Sequence, residues 1–355
     1  MEPVLITPKE LGIPETLPLP KRKDWRIGII GFGGIAQGSH APSYKSVGWP
    51  IVAVADPNPE ARKIAKEKFG IENTYADYKE LLADDSIEII DLCTQPTLRE
   101  EVVCAAAEAG KHIIIEKPLA ASIKECERMV KAADRAGVKL AVHQNYRWFK
   151  SAFLAHHIIE RGFIGEPFLA SIEIFGCQDT ELAGHPFYSK CEDFLTVQWD
   201  NHLADLLRYW TGKAPERIFA RTGRMKGQNF IGDNMLMVIT DFGEGVTGHI
   251  LHHELLHSSL GGLNCRIDGS KGSILFQLWG ELQMESELLG EGVRKLDTTG
   301  LNYQQSWCGT MGDLLISIEE NREPLVSGRR NLTTIKTILA EDESARAGGK
   351  WIDLD

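Results

Sequence analysis

A chain of 355 residues with 43% hydrophobic and 25% charged residues has a globular composition, and its length suggests two domains rather than one core. A net charge of −11 without any lysine or arginine block argues against a nucleic-acid surface or a polybasic membrane patch. No apolar run approaches the roughly 20 residues needed to span a bilayer, and seven cysteines without a C-x-x-C pair read as reduced thiols of a cytoplasmic protein.

Residues 1–24 carry Glu2, Lys9, Glu10 and several prolines, and read as an N-terminal arm rather than a signal peptide. Residues 26–31 then form a short apolar strand that runs into Gly31-Phe32-Gly33-Gly34-Ile35-Ala36. This G-x-G-x-x-A turn is expected to open a helix. Gly31 permits the tight turn, Gly33 lets backbone approach a pyrophosphate, and Ala36 allows close helix–strand packing. The helix N-terminus would offer unpaired N–H groups to the phosphates. A second strand, 51–56, ends in Asp56, about 20 residues on, where a carboxylate takes the ribose hydroxyls of NAD. No arginine follows within the next four residues to receive a 2′-phosphate, so NAD is favoured over NADP.

The alternation continues with a helix over 59–69, a strand over 87–93, a helix over 98–109, a strand ending at Lys117, a helix over 122–136 and a strand over 139–143. Strand and helix repeated at this spacing predict a doubly wound parallel sheet, the Rossmann arrangement of an α/β protein. Lys117 closes the run His112-Ile113-Ile114-Ile115-Glu116-Lys117-Pro118. Pro118 disfavours the helical region for the residue before it, which places the lysine extended at a strand's carboxyl end. Ligands bind there in open parallel sheets.

After Arg147 the pattern changes. A helix over 148–161 is followed by strand-like runs at 168–175, 217–224, 235–242, 246–251 and 273–278, which predict an α+β domain on a mostly antiparallel open sheet. Within it, residues 198–210 read as one helix. Trp199, Leu203, Leu206, Leu207 and Trp210 mark its core face, and Gln198, His202, Asp205 and Tyr209 a polar one. The segment containing His249, His252, His253 and His257 carries no metal assignment. On a strand, His249, His253 and His257 stand about 13 Å apart in succession, too far for one ion, so a sheet face or subunit contact is expected.

Taken together, the glycine turn, Asp56, Glu116-Lys117-Pro118, Asn145-Tyr146-Arg147-Trp148 and His202-x-x-Asp205 resemble the glucose–fructose oxidoreductase, inositol dehydrogenase and rhizopine-catabolism (Gfo/Idh/MocA) family in order and spacing. Glu323-Pro324-Leu325 and the helix after it resemble that family's closing segment. The resemblance implies an NAD-dependent oxidoreductase acting on a secondary alcohol or ketone of a sugar, glycoside or cyclitol. Lys117 would hold the reacting oxygen and His202 would exchange its proton. Cofactor contacts are implied for Gly31, Gly33, Gly34, Ile35, Ala36, Asp56, Thr94, Pro96, Glu116 and Lys117. Substrate contacts are implied for Lys117, Asn145, Tyr146, Arg147, Gln198 and His202. The chain departs from the family at Gln198, where an aspartate is usual, and at Thr94-Gln95-Pro96, where Thr-Pro-Asn is usual.

The expected division is an arm over 1–24, a nucleotide domain over 25–146, a substrate and oligomerisation domain over 147–325, and a closing helix and tail over 326–355 that packs back toward the nucleotide domain. A homo-oligomer, dimer or tetramer, is expected through the second sheet. Two other outcomes of the same resemblance are a relative that retains NAD and cleaves or epimerises by transient oxidation, and an NAD-bound regulator without catalysis.

Overall fold

The strands that read as continuous apolar runs are the ones buried on both faces. In a computed structural model of the chain, which describes residues 3–297 and 303–354, Ile27–Ile30, Ile89–Leu92 and Ile113 to Ile115 have no more than traces of exposed surface. They belong to a six-stranded sheet in the order Asn73–Tyr75, Ile51–Ala55, Ile27–Ile30, Ile89–Leu92, His112–Ile115, Leu140–Val142. Every pair is parallel. The connections are helices with strong termini. Asn58 caps Pro59–Phe69, which ends on left-handed Gly70, and a capping box of Ser122 and Glu125 starts Ile123–Ala136, which ends on Gly137. The helix Pro96–Glu108 completes the set.

Contacts divide the chain into two compact units, the first comprising Leu17–Trp148 and Tyr303–Ile335 and the second Met1–Thr16, Phe149–Asn302 and Lys336–Asp355. This partition differs from the expected one at both ends. The segment 303–325, expected in the second domain, supplies the helix Tyr303–Glu319 to the nucleotide unit. Its run of Ser306, Cys308, Gly309, Thr310 and Gly312 gives little hydrophobic periodicity, which is why the pattern leaves it unmarked. The expected closing segment splits: the helix Gly328–Arg346 passes from one unit to the other, and Ile352–Asp353 pairs with Arg217 and Ile218 in the second sheet.

The second unit is built on a ten-stranded sheet that is mostly antiparallel, with parallel pairs between Thr247–His253 and Pro167–Phe175 and between Val4–Ile6 and Arg294–Leu296. The arm therefore contributes an outermost strand. Alternation along Met235–Asp241 buries Leu236, Val238 and Thr240 and leaves Met237 exposed, so one face carries the core and the other stays open. Among the described residues, no helix is long and apolar enough to cross a membrane.

Gly309 in the helix Tyr303–Glu319 has no room for a side chain, because a Cβ there would overlap the indole of Trp148. Helix propensity favours Ala over Gly by about 1 kcal/mol, but overpacking costs about 1–3 kcal/mol. Gly309→Ala is thus expected to destabilise, lowering the thermal midpoint by calorimetry. A rise would show that the indole yields without cost.

Candidate active site

Gly31 adopts φ +87°, and a Cβ on it would stand 2.9 Å from the carbonyl oxygen of Cys93, so only glycine fits. Gly33 and Gly34 are different: a Cβ at either meets no atom within 4 Å. Their backbone faces open space, as close approach of a pyrophosphate requires. The segment beyond begins as a helix at residues 34 and 35, winds as a π-helix over Ala36–His40, and becomes α-helical over Ala41–Ser46. Asp56 at the end of its strand accepts hydrogen bonds from the Phe32 amide at 2.7 Å and the Asn58 amide at 2.8 Å. Its carboxylate is thereby fixed beside the glycine turn with further lone pairs to offer. Thr94 Oγ1 is buried and unpaired, another polar atom that suits a ligand. These residues fit a dinucleotide. Arg62, six residues beyond Asp56, was not singled out by the sequence. It reaches back to the carbonyls of Asp56 at 2.6 Å and Pro57 at 3.0 Å, so an arginine does stand near the ribose position.

Lys117 lies half-buried just beyond His112–Ile115, at the carboxyl end of the parallel sheet. Burial lowers its proton affinity, the Glu116 carboxylate opposes that, and the Arg99 guanidinium adds to it. Arg99, buried in the helix Pro96–Glu108, donates to the carbonyl of Thr94 at 3.0 Å and to that of Pro118. It ties the two loops that border the lysine.

Glu116 turns inward. Its Oε1 lies 2.9 Å from His40 Nε2, and the other nitrogen of the same ring, Nδ1, lies 2.7 Å from Asp91 Oδ2. A ring with a carboxylate at each nitrogen donates from both, which is the imidazolium. Burial would discharge His40, but Asp91, with support from Cys93, holds its proton affinity well above the ordinary value. Burial likewise pushes both carboxyls up, and the histidine overrides it, keeping Asp91 and Glu116 ionised. Tyr44 donates to Asp91 at 2.9 Å. His143 Nδ1 is 2.7 Å from Thr310 Oγ1, whose proton goes to the Trp307 carbonyl, so Nδ1 carries the hydrogen. Burial and the His40 charge both lower the proton affinity of His143, which stays neutral.

His40, Asp91 and Cys93 stand close enough to resemble a metal site. The 2.7 Å between His40 Nδ1 and Asp91 Oδ2 is a hydrogen-bond distance, shorter than the about 3.3 Å edge that tetrahedral bonds near 2.0 Å impose on two ligands. The ring is a cation between anions, and no metal role is assigned to it.

Asn145, Tyr146 and Arg147 fall in a 3-10 turn and are almost fully buried. Asn145 donates to Ser306 at 3.1 Å, and Arg147 reaches the Leu325 carbonyl at 3.4 Å.

In the second unit, the expected regular helix over 198–210 is two windings. Phe194–Trp199 is π-helical and Asp200–Thr211 α-helical, ending on left-handed Gly212. The change of winding removes the simple four-residue relation between Gln198 and His202. His202 and Asp205 are buried, while Gln198 is half-buried, so the polar stripe is not a surface face. Asp205 Oδ1 lies 3.9 Å from Arg208.

Asp200, unassigned by the sequence, is fully buried with Glu341 from Gly328–Arg346. Burial raises Asp200 to about 6; burial and the Asp200 charge raise Glu341 well above the carboxylate range. The pair is thereby driven toward holding a proton, and its four oxygens are buried without another hydrogen-bond partner. His252 lies near, lowering Asp200, and its Nε2 is 2.8 Å from Glu254 Oε1. The histidine-rich strand ends at His253, so His257 is exposed off the strand rather than in register with His249 and His253. His252, on the opposite face, is the buried one.

Two family models match the chain: an oxidoreductase family with an NAD-binding Rossmann fold over residues 25–144, and a GFO/IDH/MocA C-terminal domain over residues 154–275. A D-apiose dehydrogenase from Paraburkholderia graminis is 26% identical over 92% of this chain and 89% of its own length. A myo-inositol 2-dehydrogenase from Thermotoga maritima is 27% identical, covering 85% of this chain and 91% of its own length. The crystal structure of an oxidoreductase from Agrobacterium radiobacter in complex with NAD+, L-tartaric acid and magnesium superposes with a TM-score of 0.85 at 25% identity, over 93% of this chain and 98% of that one.

The shared proton of Asp200 and Glu341 gives the fold a pH dependence of definite sign. A carboxyl raised on folding contributes stability that is full below its unfolded value and lost as pH rises through its folded value, here about 6 for Asp200. Glu341→Gln removes one charge at constant shape. The variant is expected to exceed the parent by about 1–3 kcal/mol at pH 8 and to match it near pH 4 in denaturant titrations. A constant difference across that range would show that the pair does not share a proton.

Proposed function

Because the chain belongs to the GFO/IDH/MocA family of NAD-dependent oxidoreductases, we propose that it interconverts a secondary alcohol and a ketone on a sugar, glycoside or cyclitol. The observation that carries this reading is Lys117 at the carboxyl edge of the parallel sheet, half-buried and joined to an ionised Glu116. NAD, held at the glycine turn, would supply the acceptor for the hydride of the carbinol carbon. The chain's part is to hold the alcohol and move its proton. Lys117 as an ammonium donates to the reacting oxygen and lowers the cost of negative charge developing there. His202 takes the hydroxyl proton in the oxidation and returns it in the reduction.

The glycine turn over Gly31, Gly33, Gly34, Ile35 and Ala36, together with Asp56, Thr94 and Pro96, is proposed to hold the dinucleotide. Gln198 enters as a substrate contact, being half-exposed. Asn145, Tyr146 and Arg147 enter as substrate contacts from a buried turn: Asn145 Nδ2 and Arg147 donate inside the protein, and Asn145 Oδ1 is buried without a hydrogen-bond partner. A cytosolic setting fits the seven free cysteines. A homo-oligomer through the open face of the ten-stranded sheet is supported by Met237 and Leu275, exposed at 39% and 49% on outward positions.

The direct test is a panel of sugars, polyols and glycosides with NAD, read by the absorbance of released NADH. Products without NADH would instead assign a transient oxidation in which the cofactor is regenerated in place. Lys117→Ala and His202→Ala are each expected to lower kcat by about 100-fold or more with NAD affinity and thermal midpoint near the parent. Either variant keeping a third of parent turnover removes its residue from the mechanism.

Cofactor preference is expected to follow Asp56. NAD should bind at least about tenfold tighter than NADP, a difference of about 1.4 kcal/mol. In Asp56→Asn the Arg62 guanidinium becomes the nearest fixed charge, and calorimetry should find the preference narrowed mainly through tighter NADP. An unchanged ratio would place the ribose elsewhere.

A further inference from the structure

The buried group beneath Lys117 has a shape that bears on the lysine itself. Glu116 and Lys117 are neighbours in sequence, one turned into the protein and the other half-exposed at its edge. Of the Glu116 contacts, the short one is to His40 Nε2 at 2.9 Å. Asp91 is more richly held, by His40, by the Tyr44 hydroxyl and by the Cys93 thiol at 3.5 Å. The His40 ring is fixed in place by Trp307, whose ring centroid is 4.3 Å away, and by the edge of His143 at 4.4 Å. The lysine's proton affinity is lowered by burial, raised by the Glu116 charge and lowered by that of Arg99.

We infer that His40 is a positioning residue for Lys117: its imidazolium keeps Glu116 ionised, and that carboxylate keeps the lysine protonated at the site. The inference rests on the reading of Lys117 as the oxygen-holding group, but its central step concerns the lysine's proton and is measurable without any substrate. The sign follows from the geometry. Without the cation, two carboxylates remain buried together, and one of them must take a proton. Asp91 retains the Tyr44 hydroxyl and the Cys93 thiol, so Glu116 is the one that is neutralised. Lys117 then loses the negative neighbour that opposes its desolvation and releases its proton at lower pH.

His40→Asn keeps a donor toward Asp91 and withdraws the cation from Glu116. Glu116→Gln reproduces the neutral carboxyl without touching His40, and His40→Gln keeps a neutral donor toward Glu116 where His40→Asn does not fold. Competitive labelling of the full chain with trace acetic anhydride, read by mass spectrometry on the Lys117 peptide, follows the free amine against pH. His40→Asn and Glu116→Gln are both expected to move the Lys117 titration to lower pH, with labelling at pH 8 at least about threefold faster than in the parent. His40→Gln is expected to move it the same way by less. The basic limb of kcat/KM should follow for whichever panel substrate is turned over. A purely structural role would lower the thermal midpoint and leave the titration in place. Titrations that stay put, that move to higher pH, or that move in Glu116→Gln but in neither His40 variant overturn the inference. Should the titration move while Lys117→Ala keeps its turnover, the coupling stands and the mechanistic reading of Lys117 is what fails.

Discussion

A carboxylate in the middle of a parallel sheet is the constraint from which much of the nucleotide unit follows. Asp91 sits in Ile89–Leu92, between the strands Ile27–Ile30 and His112–Ile115, with none of its side chain exposed. An ion buried this way costs several kcal/mol unless opposite charge and hydrogen bonds surround it. The segment after the glycine turn sends it His40 and Tyr44, and the helix Tyr303–Glu319 sets Trp307 against the His40 ring. His143, at the end of Leu140–Val142, packs on the same ring and is held by Thr310. The π-wound stretch Ala36–His40 ends on the histidine that must meet two strands at once. Glu116 is the second anion of this arrangement, so the residue beside the lysine is fixed by the same ring that satisfies the sheet.

The second unit meets the same difficulty by another route. Asp200 and Glu341 are equally buried, and there burial drives both carboxyls toward the protonated form, so that a proton does what the cation does for Asp91. A cation-bridged cluster keeps its charges over a wide pH range, because each carboxyl is held low. A proton-bridged pair is neutralised in acid and strained in base. The helix Asp200–Thr211, which carries His202, is thus anchored at its first residue by a contact sensitive to pH. The lysine edge rests on one that is much less so.

Local signals were legible in the sequence. Apolar runs separated by capped helices give five of the six parallel strands within a residue or two and miss the short edge strand Asn73–Tyr75, while Gly31 and Asp56 occupy the turn and strand end that their chemistry demands. What pairwise spacing cannot carry is a contact between distant residues. His40, Asp91 and His143 each look like isolated polar residues in apolar surroundings, and only the fold shows that they meet. Winding was also hidden: Gln198 and His202 have the spacing of an α-helical pair, but the π-helix Phe194–Trp199 changes their phase. The helix Tyr303–Glu319 was missed because small and polar residues such as Ser306, Gly309 and Thr310 are buried against neighbours, leaving no apolar stripe to read. Arg62 lay just beyond the short window in which an arginine was sought.

The order in which the chain crosses between its two units has a bearing on its synthesis. Leu17–Trp148 emerges from the ribosome as one block, but its unit is finished by Tyr303–Ile335, and the strand Val4–Ile6 waits for Arg294–Leu296. At roughly 10 residues per second, Asp91 and His143 exist for about twenty seconds before Thr310 and Trp307 are made. During that interval the half-built sheet holds charged groups whose enclosure is incomplete, so water remains at its carboxyl edge. The nascent protein therefore passes through a stage in which the sheet is paired but its polar centre is wet. It is the late-made segment Tyr303–Ile335 that seals it, which makes its helix a step in maturation rather than an appendage.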